Sequence, residues 1–484
     1  MPAANTIKRP ANKWINICCV VAALLAVFLY PVKHSIWYDE SISVLCSKGI
    51  TYDTKDHFPA AQPLSSSAIE ACNNPAQVFH TTVMDNANSL LYNEGLHFFT
   101  LVCGNSLSSY ILWSRLCAAA ALIAFFCLAV MLMGDSIFVA AAVILYCTDM
   151  VFWSMANEVR AYSLGMLFVT LAAISLFKYT YKRTTPFNLF LFGLWSVCAM
   201  LSHFFTVYIT GILAFALLYR HRASLLTGRN LAAMLLPVGL FVVYFICAID
   251  GFMPKQVHTM ILLSKTQERY SILQGMSLFA KHTAVNFKAI FPFLSVSPAV
   301  AFLSLGFIVV LFFYGLRLLV HDKNKKEQYL VLFALGISSS ILLMLLSIKN
   351  QVYTPFYLRY FSFSIPFCCL FAALALKILW DHRGNKLVKI ALAVILIIPP
   401  AGYWAMQLGK PAGNSYNHMA IAEKIISGHI TKAEVPDWTD AFLIQSFLPG
   451  GYNIDYLQKP GIPVFKLYSV SDSVTIPITV KLAE

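Results

Sequence analysis

Five short stretches carry nearly all the residues that could do chemistry. The first is WYDES, residues 37–41, in which Asp39 and Glu40 follow an aromatic that can anchor at a membrane interface. A carboxylate there can serve as a general base, and the same pair fits two solvated acids beside a helix end. The second is MDNANSLLYNEGLHFF, residues 84–99. Asp85, Asn86 and Asn88 suit the start of a helix lying along the membrane surface, with Asp85 as a cap or as a site residue. Glu94 and His97 share a face at i, i+3, a spacing that can hold a cation and more often is structural. The third is ANEVRAYSL, residues 156–164, where Glu158 and Arg160 sit too close in sequence to share a helix face. Arg160 has the forked donors that suit a phosphate, or can snorkel to the interface. The fourth is LSHFFT, in which His203 separates two apolar runs and reads as a ligand, a substrate contact or a hydrogen-bonded structural group. The fifth is FYLRYFSFSIP, residues 356–366, with Arg359 beside Tyr357 and Tyr360.

The elements that must position these residues are membrane spans. Only 12% of the 484 residues are charged and 59% are hydrophobic, against about 25% charged in a soluble domain. Mean hydropathy is +0.69. A spanning helix needs about 20 mostly apolar residues. The chain offers eleven such stretches: 14–31, 108–132, 136–151, 161–179, 187–202, 204–220, 231–249, 299–319, 328–347, 361–380 and 387–405. The expected fold is therefore an all-α polytopic membrane bundle of about 11 transmembrane helices. The first stretch lacks a small-x-small cleavage site and reads as a retained anchor.

Lys and Arg orient the bundle. The N-terminus carries Lys8, Arg9 and Lys13, and alternate short loops carry Lys178, Lys182 and Arg183, then Arg220, Arg222 and Arg229, then Arg317, Lys323, Lys325 and Lys326, then Arg383, Lys386 and Lys389. All fall on one side if the N-terminus is cytoplasmic. The net charge of +13 is thus a topology signal. No basic arm with interleaved aromatics points to nucleic acid.

The outer side then receives a first loop (about 32–107), a second (about 250–298) and a C-terminal piece. The expected division is 1–405 as the transmembrane domain and 406–484 as a small α/β extracytoplasmic domain. Residues 414–427 suit a short helix, and 441–448 and 463–469 suit strands around a Pro-Gly-Gly turn. Of the twelve Cys, most lie in apolar stretches as small hydrophobes. Cys46 and Cys72 share the first loop and can pair in an oxidising compartment. All five chemical stretches, with Arg115 early in the second span, come to one depth at the outer ends of helices. A single outer cleft is the economical arrangement.

In these places the sequence resembles the GT-C superfamily of integral-membrane glycosyltransferases, in the bacterial branch related to protein O-mannosyltransferases and lipid A aminoarabinose transferases. The matching pieces are Asp39 and Glu40 after the first span, DNANSLLYNEGLHFF, the E-x-R-x-Y-x-L of Glu158, Arg160 and Tyr162, the short-loop His203, and Arg359-Tyr360 ahead of Pro366. The resemblance covers about residues 14–405 in order and topology. The resemblance implies transfer of a sugar from a polyprenyl-phosphate donor to a hydroxyl of a lipid, glycan or protein acceptor on the extracytoplasmic face of a bacterial inner membrane. It implies Asp39 as base with Glu40 in support, Arg359 and Arg160 on the lipid phosphate, and Asp85, Asn88, Tyr92, Glu158 and Tyr360 at the substrates. Some relatives use a divalent metal cation, for which Glu94 and His203 would be the ligands here. Many relatives have a Pro-Pro-Leu-Tyr run where this chain has Asn88-Ser89-Leu90-Leu91-Tyr92.

Two other functions fit parts of the pattern. A secondary transporter would put its ionisable residues near the bilayer midplane, often in repeats, and no repeat is visible. A lipid-linked polysaccharide polymerase or ligase would favour an Arg-rich large outer loop, and 250–298 carries Lys255, Lys265, Arg269, Lys281 and Lys288.

Overall fold

The computed structural model describes residues 10–30, 36, 38–50, 63–71, 74–85, 88–264, 271–290, 298–350, 358–382, 394, 402, 418–449, 451–459, 464–469 and 473–477. The chain begins with α1 (Pro10–Leu29). The first loop then folds into α2 (Tyr38–Ser47), strand β1 (Leu64–Ser65), α3 (Ser66–Ala71), α4 (Pro75–Met84) and α5 (Leu90–Cys103). The bundle continues with α6 (Leu107–Met133), α7 (Ile137–Cys147), α8 (Met150–Asn157), α9 (Tyr162–Tyr181), α10 (Pro186–Ser202) and α11 (Val207–Leu225). After these come α12 (Gly228–Ser264), α13 (Ile272–Ile290), α14 (Pro298–Leu318), α15 (Lys323–Asn350) and α16 (Ile365–His382). Among the described residues six helices are long and apolar enough to cross a membrane, and seven if α7 and α8 form one bent span.

The helix boundaries have local causes. Ser106 accepts the Ser109 amide at the start of α6, and Thr185 accepts that of Asn188 ahead of Pro186 in α10. Each such cap is worth about 1 kcal/mol. Asp149 accepts the amides of Val151 and Phe152 at 2.7 and 3.1 Å, so it opens a new helix where α7 ends. The expected span 136–151 is therefore two helices meeting at 58°. Buried Asn16 crosses from α1 to α7, donating to Ser136 O and accepting from Ala140 N, both at 3.1 Å. That satisfies an amide whose burial would otherwise be costly.

The bundle core runs through α6, α7, α9, α10 and α16, with Phe125, Tyr146, Val169, Phe192 and Cys369 in one apolar cluster. One end of the bundle is fastened by Arg220, which pairs with Glu327, bonds Asn324 and lies over the Tyr181 ring. These residues come from three of the basic connections, 178–183, 220–229 and 317–326, which meet at one end of the bundle, and the His203 connection lies at the other end of α11.

Several expectations need correction. The second outer loop, 250–298, is largely helical: α12 runs on to Ser264, and α13 packs against α14, α15 and α16. Residues 441–448 are not a strand. Residues 441–445 belong to helix α18 (Trp438–Gln445) and 446–448 to the turn after it, because Asp437 accepts the Thr439 amide and Trp438, Ala441, Phe442 and Gln445 recur on one buried face. The surface helix opens later than expected, at Leu90, while Asp85 closes α4 through its amide to Thr81 O. The last expected span, 387–405, apart from residues 394 and 402, and Cys72 lie outside the described residues.

Beyond the bundle stand α17 (His418–Ser427), β2 (Lys432–Val435), α18, β3 (Asp455–Gln458), β4 (Val464–Tyr468) and β5 (Ser473–Pro477). Helix α17 and strand β4 match the expected 414–427 and 463–469. Among the described residues the sheet has the order β1-β3-β2-β4-β5, with β2 parallel to β3 and the other pairs antiparallel. Strand β1 comes from the first loop, and Leu45, Ile50, Leu64 and Ile69 share one core with Ile421, Trp438, Phe442 and Tyr456. The piece expected at 406–484 thus includes part of the 32–107 loop. Helix α2 lies between the two cores: Leu45 enters this one, and Val44 packs with Tyr92, Tyr110 and Val159 at the end of the bundle. Burial on both faces fixes the helix that carries Asp39.

Candidate active site

Asp39 and Glu40 occupy the first turn of α2. Their carboxylates do different work. Glu40 is fully buried and accepts the Val159 amide at 2.6 Å, which pins the turn between α8 and α9 to α2. Asp39 points its Oδ2 to Arg359 Nη1 at 2.9 Å, with the two side chains 25% and 15% exposed. This bridge joins the start of α2 to the 3₁₀ turn Leu358–Phe361 that precedes α16.

Arg160 stands behind the pair. Its Nη1 donates to the Asp39 carbonyl at 2.8 Å and to Ser43 Oγ at 3.3 Å. Asp39 and Asp85 both lie within its electrostatic reach, and Asp39 and Glu158 within that of Arg359. Glu158 accepts from Ser154 Oγ at 2.9 Å. Two arginines and three carboxylates from four connections thus meet at one end of the bundle.

The 3₁₀ turn is held by hydroxyls. Tyr208 OH contacts Ser339 Oγ at 2.8 Å and donates to the Tyr360 carbonyl at 3.3 Å, and Ser339 Oγ contacts Ser364 Oγ at 2.7 Å. Arg359 lies 5.6 Å from the Tyr360 ring centre. On the other side of α16's approach, Phe363 presses on Gly165: a Cβ there would stand 2.5 Å from Phe363 Cε1. Only glycine lets the segment after Arg359 lie this close to α9.

His203 completes one wall, in the connection between α10 and the helical turn ahead of α11. Its ring packs with Tyr162 at 5.0 Å, Phe363 at 5.2 Å and Phe205 at 5.4 Å. Burial, and then the charges of Arg160 and Arg359, press its pKa down to about 3, so the ring is neutral. Its Nδ1 accepts the Phe205 amide at 3.2 Å. The neutral ring then carries its proton on Nε2 and has no lone pair left for a metal. Among the described residues no group of three or more His, Cys, Asp and Glu is arranged to hold a metal ion. Glu94 and His203 as they stand therefore do not fit a divalent cation.

Other residues singled out in the sequence make contacts within the fold. Asn88 Oδ1 accepts the Phe204 amide at 3.1 Å, tying the start of α5 to the His203 turn. Tyr92 is fully buried with its hydroxyl 2.6 Å from Ser114 Oγ. His97 Nδ1 lies 2.9 Å from Ser47 O, which anchors the end of α2. Arg115 holds Asn157 Oδ1 through Nε and Nη2 and reaches Phe28 O, clamping α1, α6 and α8. Burial raises the pKa of Glu94. Tyr208, Ser339 and Ser364 went unnoticed in sequence, because a lone hydroxyl in an apolar helix has no distinguishing spacing.

No protein-family model matches the chain, and no curated protein does. Solved structures do. ArnT from Cupriavidus metallidurans in the apo state superposes with a TM-score of 0.51 at 11% identity, covering 91% of this chain and 86% of ArnT. The same protein bound to undecaprenyl phosphate gives a TM-score of 0.47 at 10% identity, covering 90% and 75%. The chain shares the overall fold of ArnT.

Proposed function

We propose that this protein is a glycosyltransferase that moves a sugar from a polyprenyl-phosphate donor to an acceptor hydroxyl on the extracytoplasmic face of the membrane. The observation that carries this function is the approach of Asp39 to Arg359 at the end of the bundle opposite the basic connections. A carboxylate and a guanidinium are the two groups such a transfer needs. Asp39 takes the proton of the acceptor hydroxyl as its oxygen attacks the anomeric carbon. The bond from that carbon to the phosphate oxygen breaks, and its electron pair leaves on the polyprenyl phosphate. Arg359 meets the charge that develops there. Because the phosphate is already a good leaving group, one base suffices and the anomeric centre inverts. The undecaprenyl phosphate bound to ArnT is consistent with this donor class.

The competing functions lose their support. Three of the basic residues that suited a polymerase or ligase, Lys255, Lys281 and Lys288, lie in helices, and the ionisable cluster lies at helix ends where a transporter would place it in mid-span. The test is an assay of purified protein with a panel of undecaprenyl-phosphate sugars, reading release of free undecaprenyl phosphate. Release with one donor in the presence of acceptor supports the function. No release with any donor and acceptor pair, from protein that is folded, counts against it.

A further inference from the structure

The Asp39–Arg359 bridge poses a chemical conflict. It rests on the transfer function proposed above, in which both groups must be available: the carboxylate to a hydroxyl and the guanidinium to a phosphate. In the structure each is engaged by the other. A guanidinium fork that faces a carboxylate presents the same donors that a phosphate would take.

The surroundings hold both backbones while leaving the side chains able to part. Arg160 grips the carbonyl of Asp39, and Glu40 next to it is locked on Val159. The Arg359 turn is closed by the Ser362 amide on the Arg359 carbonyl at 3.2 Å, and Tyr208 holds the next carbonyl, that of Tyr360. The bridge itself is part-exposed at both ends, so an incoming anion can reach it. A fully buried pair would offer no such route. Glu158 lies within the electrostatic reach of Arg359, so the guanidinium is not left bare while it changes partners.

We propose that this ion pair is a latch opened by the donor: the lipid phosphate displaces Asp39 from Arg359, and only then is the carboxylate released to act as base. Before the donor binds, Asp39 is held by the cation and takes no proton from water or acceptor. Binding of the phosphate and arming of the base are one event, so the site is assembled only when there is something to transfer.

The latch makes an unusual demand. Removing the catalytic carboxylate should improve binding of the lipid phosphate, because the phosphate no longer competes for Arg359. The experiment measures binding of undecaprenyl phosphate to the full chain in nanodiscs, for wild type, Asp39→Asn, Asp39→Ser and Arg359→Ala. The expected result is tighter binding by about tenfold in both Asp39 variants, and loss of binding in Arg359→Ala. A pair that merely holds the fold together would give the opposite, since losing Asp39 would misplace Arg359 and weaken binding. Unchanged or weaker binding in the folded Asp39 variants overturns the latch and leaves the transfer function standing. Absence of binding to wild type and to both Asp39 variants overturns the transfer function itself.

Discussion

The buried carboxylate of Glu40 accepts the Val159 amide at 2.6 Å, one residue from the acid that bridges to Arg359. Two neighbouring acids thus have separate tasks, and substitution can tell them apart. Glu40→Gln keeps an acceptor for Val159 and should retain most of the activity. Glu40→Ala strands a buried amide and should lower stability by about 1–3 kcal/mol, with turnover falling as the 158–160 turn shifts. Thermal unfolding measured beside turnover checks this. A Glu40→Gln variant as inactive as Asp39→Asn would make Glu40 a base.

Gly165→Ala places a methyl group against Phe363, where 2.5 Å is available. Overpacking of this kind costs about 1–3 kcal/mol. The strain falls on the segment behind Arg359, so apparent melting temperature and donor affinity should drop together. An unchanged affinity would show that the Arg359 turn does not depend on this contact.

Tyr208→Phe removes one hydroxyl that serves both Ser339 and the Tyr360 carbonyl. The expected stability cost is about 1 kcal/mol. Its functional mark should be a donor KM raised several-fold with kcat changed less, since the hydroxyl positions Arg359 and touches no reacting atom. Steady-state kinetics at varied donor concentration give the split.

His203 offers a test by pH. Its pKa falls from about 6.5 in the unfolded chain to about 3, through burial and the two arginines. Between those values the unfolded chain binds the proton and the folded chain does not, so stability falls as pH drops below about 6.5. At pH 5 the loss amounts to about 2 kcal/mol. His203→Asn should flatten this part of the profile in thermal unfolding between pH 7 and 4. A wild-type profile with no slope there would show that His203 is not held neutral by the fold.

Much of the site could be read from the sequence because charge is rare in it. In a chain with so few ionisable residues, Asp39, Arg160, His203 and Arg359 stand out at helix ends, and the alternation of basic loops puts them on one side. Packing decides what is not written in spacing. Glu40 and Asp39 look alike until one is seen buried on an amide and the other facing a guanidinium. Asn88 and Tyr92 have the polarity of substrate contacts, and the partners that Asn88 Oδ1 and the Tyr92 hydroxyl find within the fold cannot be read from spacing. The two-residue strand β1 has no periodicity to detect, and its pairing with β3 depends on a partner from the far end of the chain. The helix at 438–445 was obscured by its dense apolar run, where a period of two and a period of 3.6 are hard to separate.

Asp39 and Arg359 acting as one unit is the central claim, and a kinetic double-mutant cycle with the productive donor tests it most directly. Asp39→Asn and Arg359→Ala should each lower turnover by at least about a hundredfold, the range expected for loss of a general base. The double variant should be little worse than the poorer single, because residues of one unit do not contribute independently. Near-wild-type turnover in Asp39→Asn, or losses that simply multiply, would contradict the account.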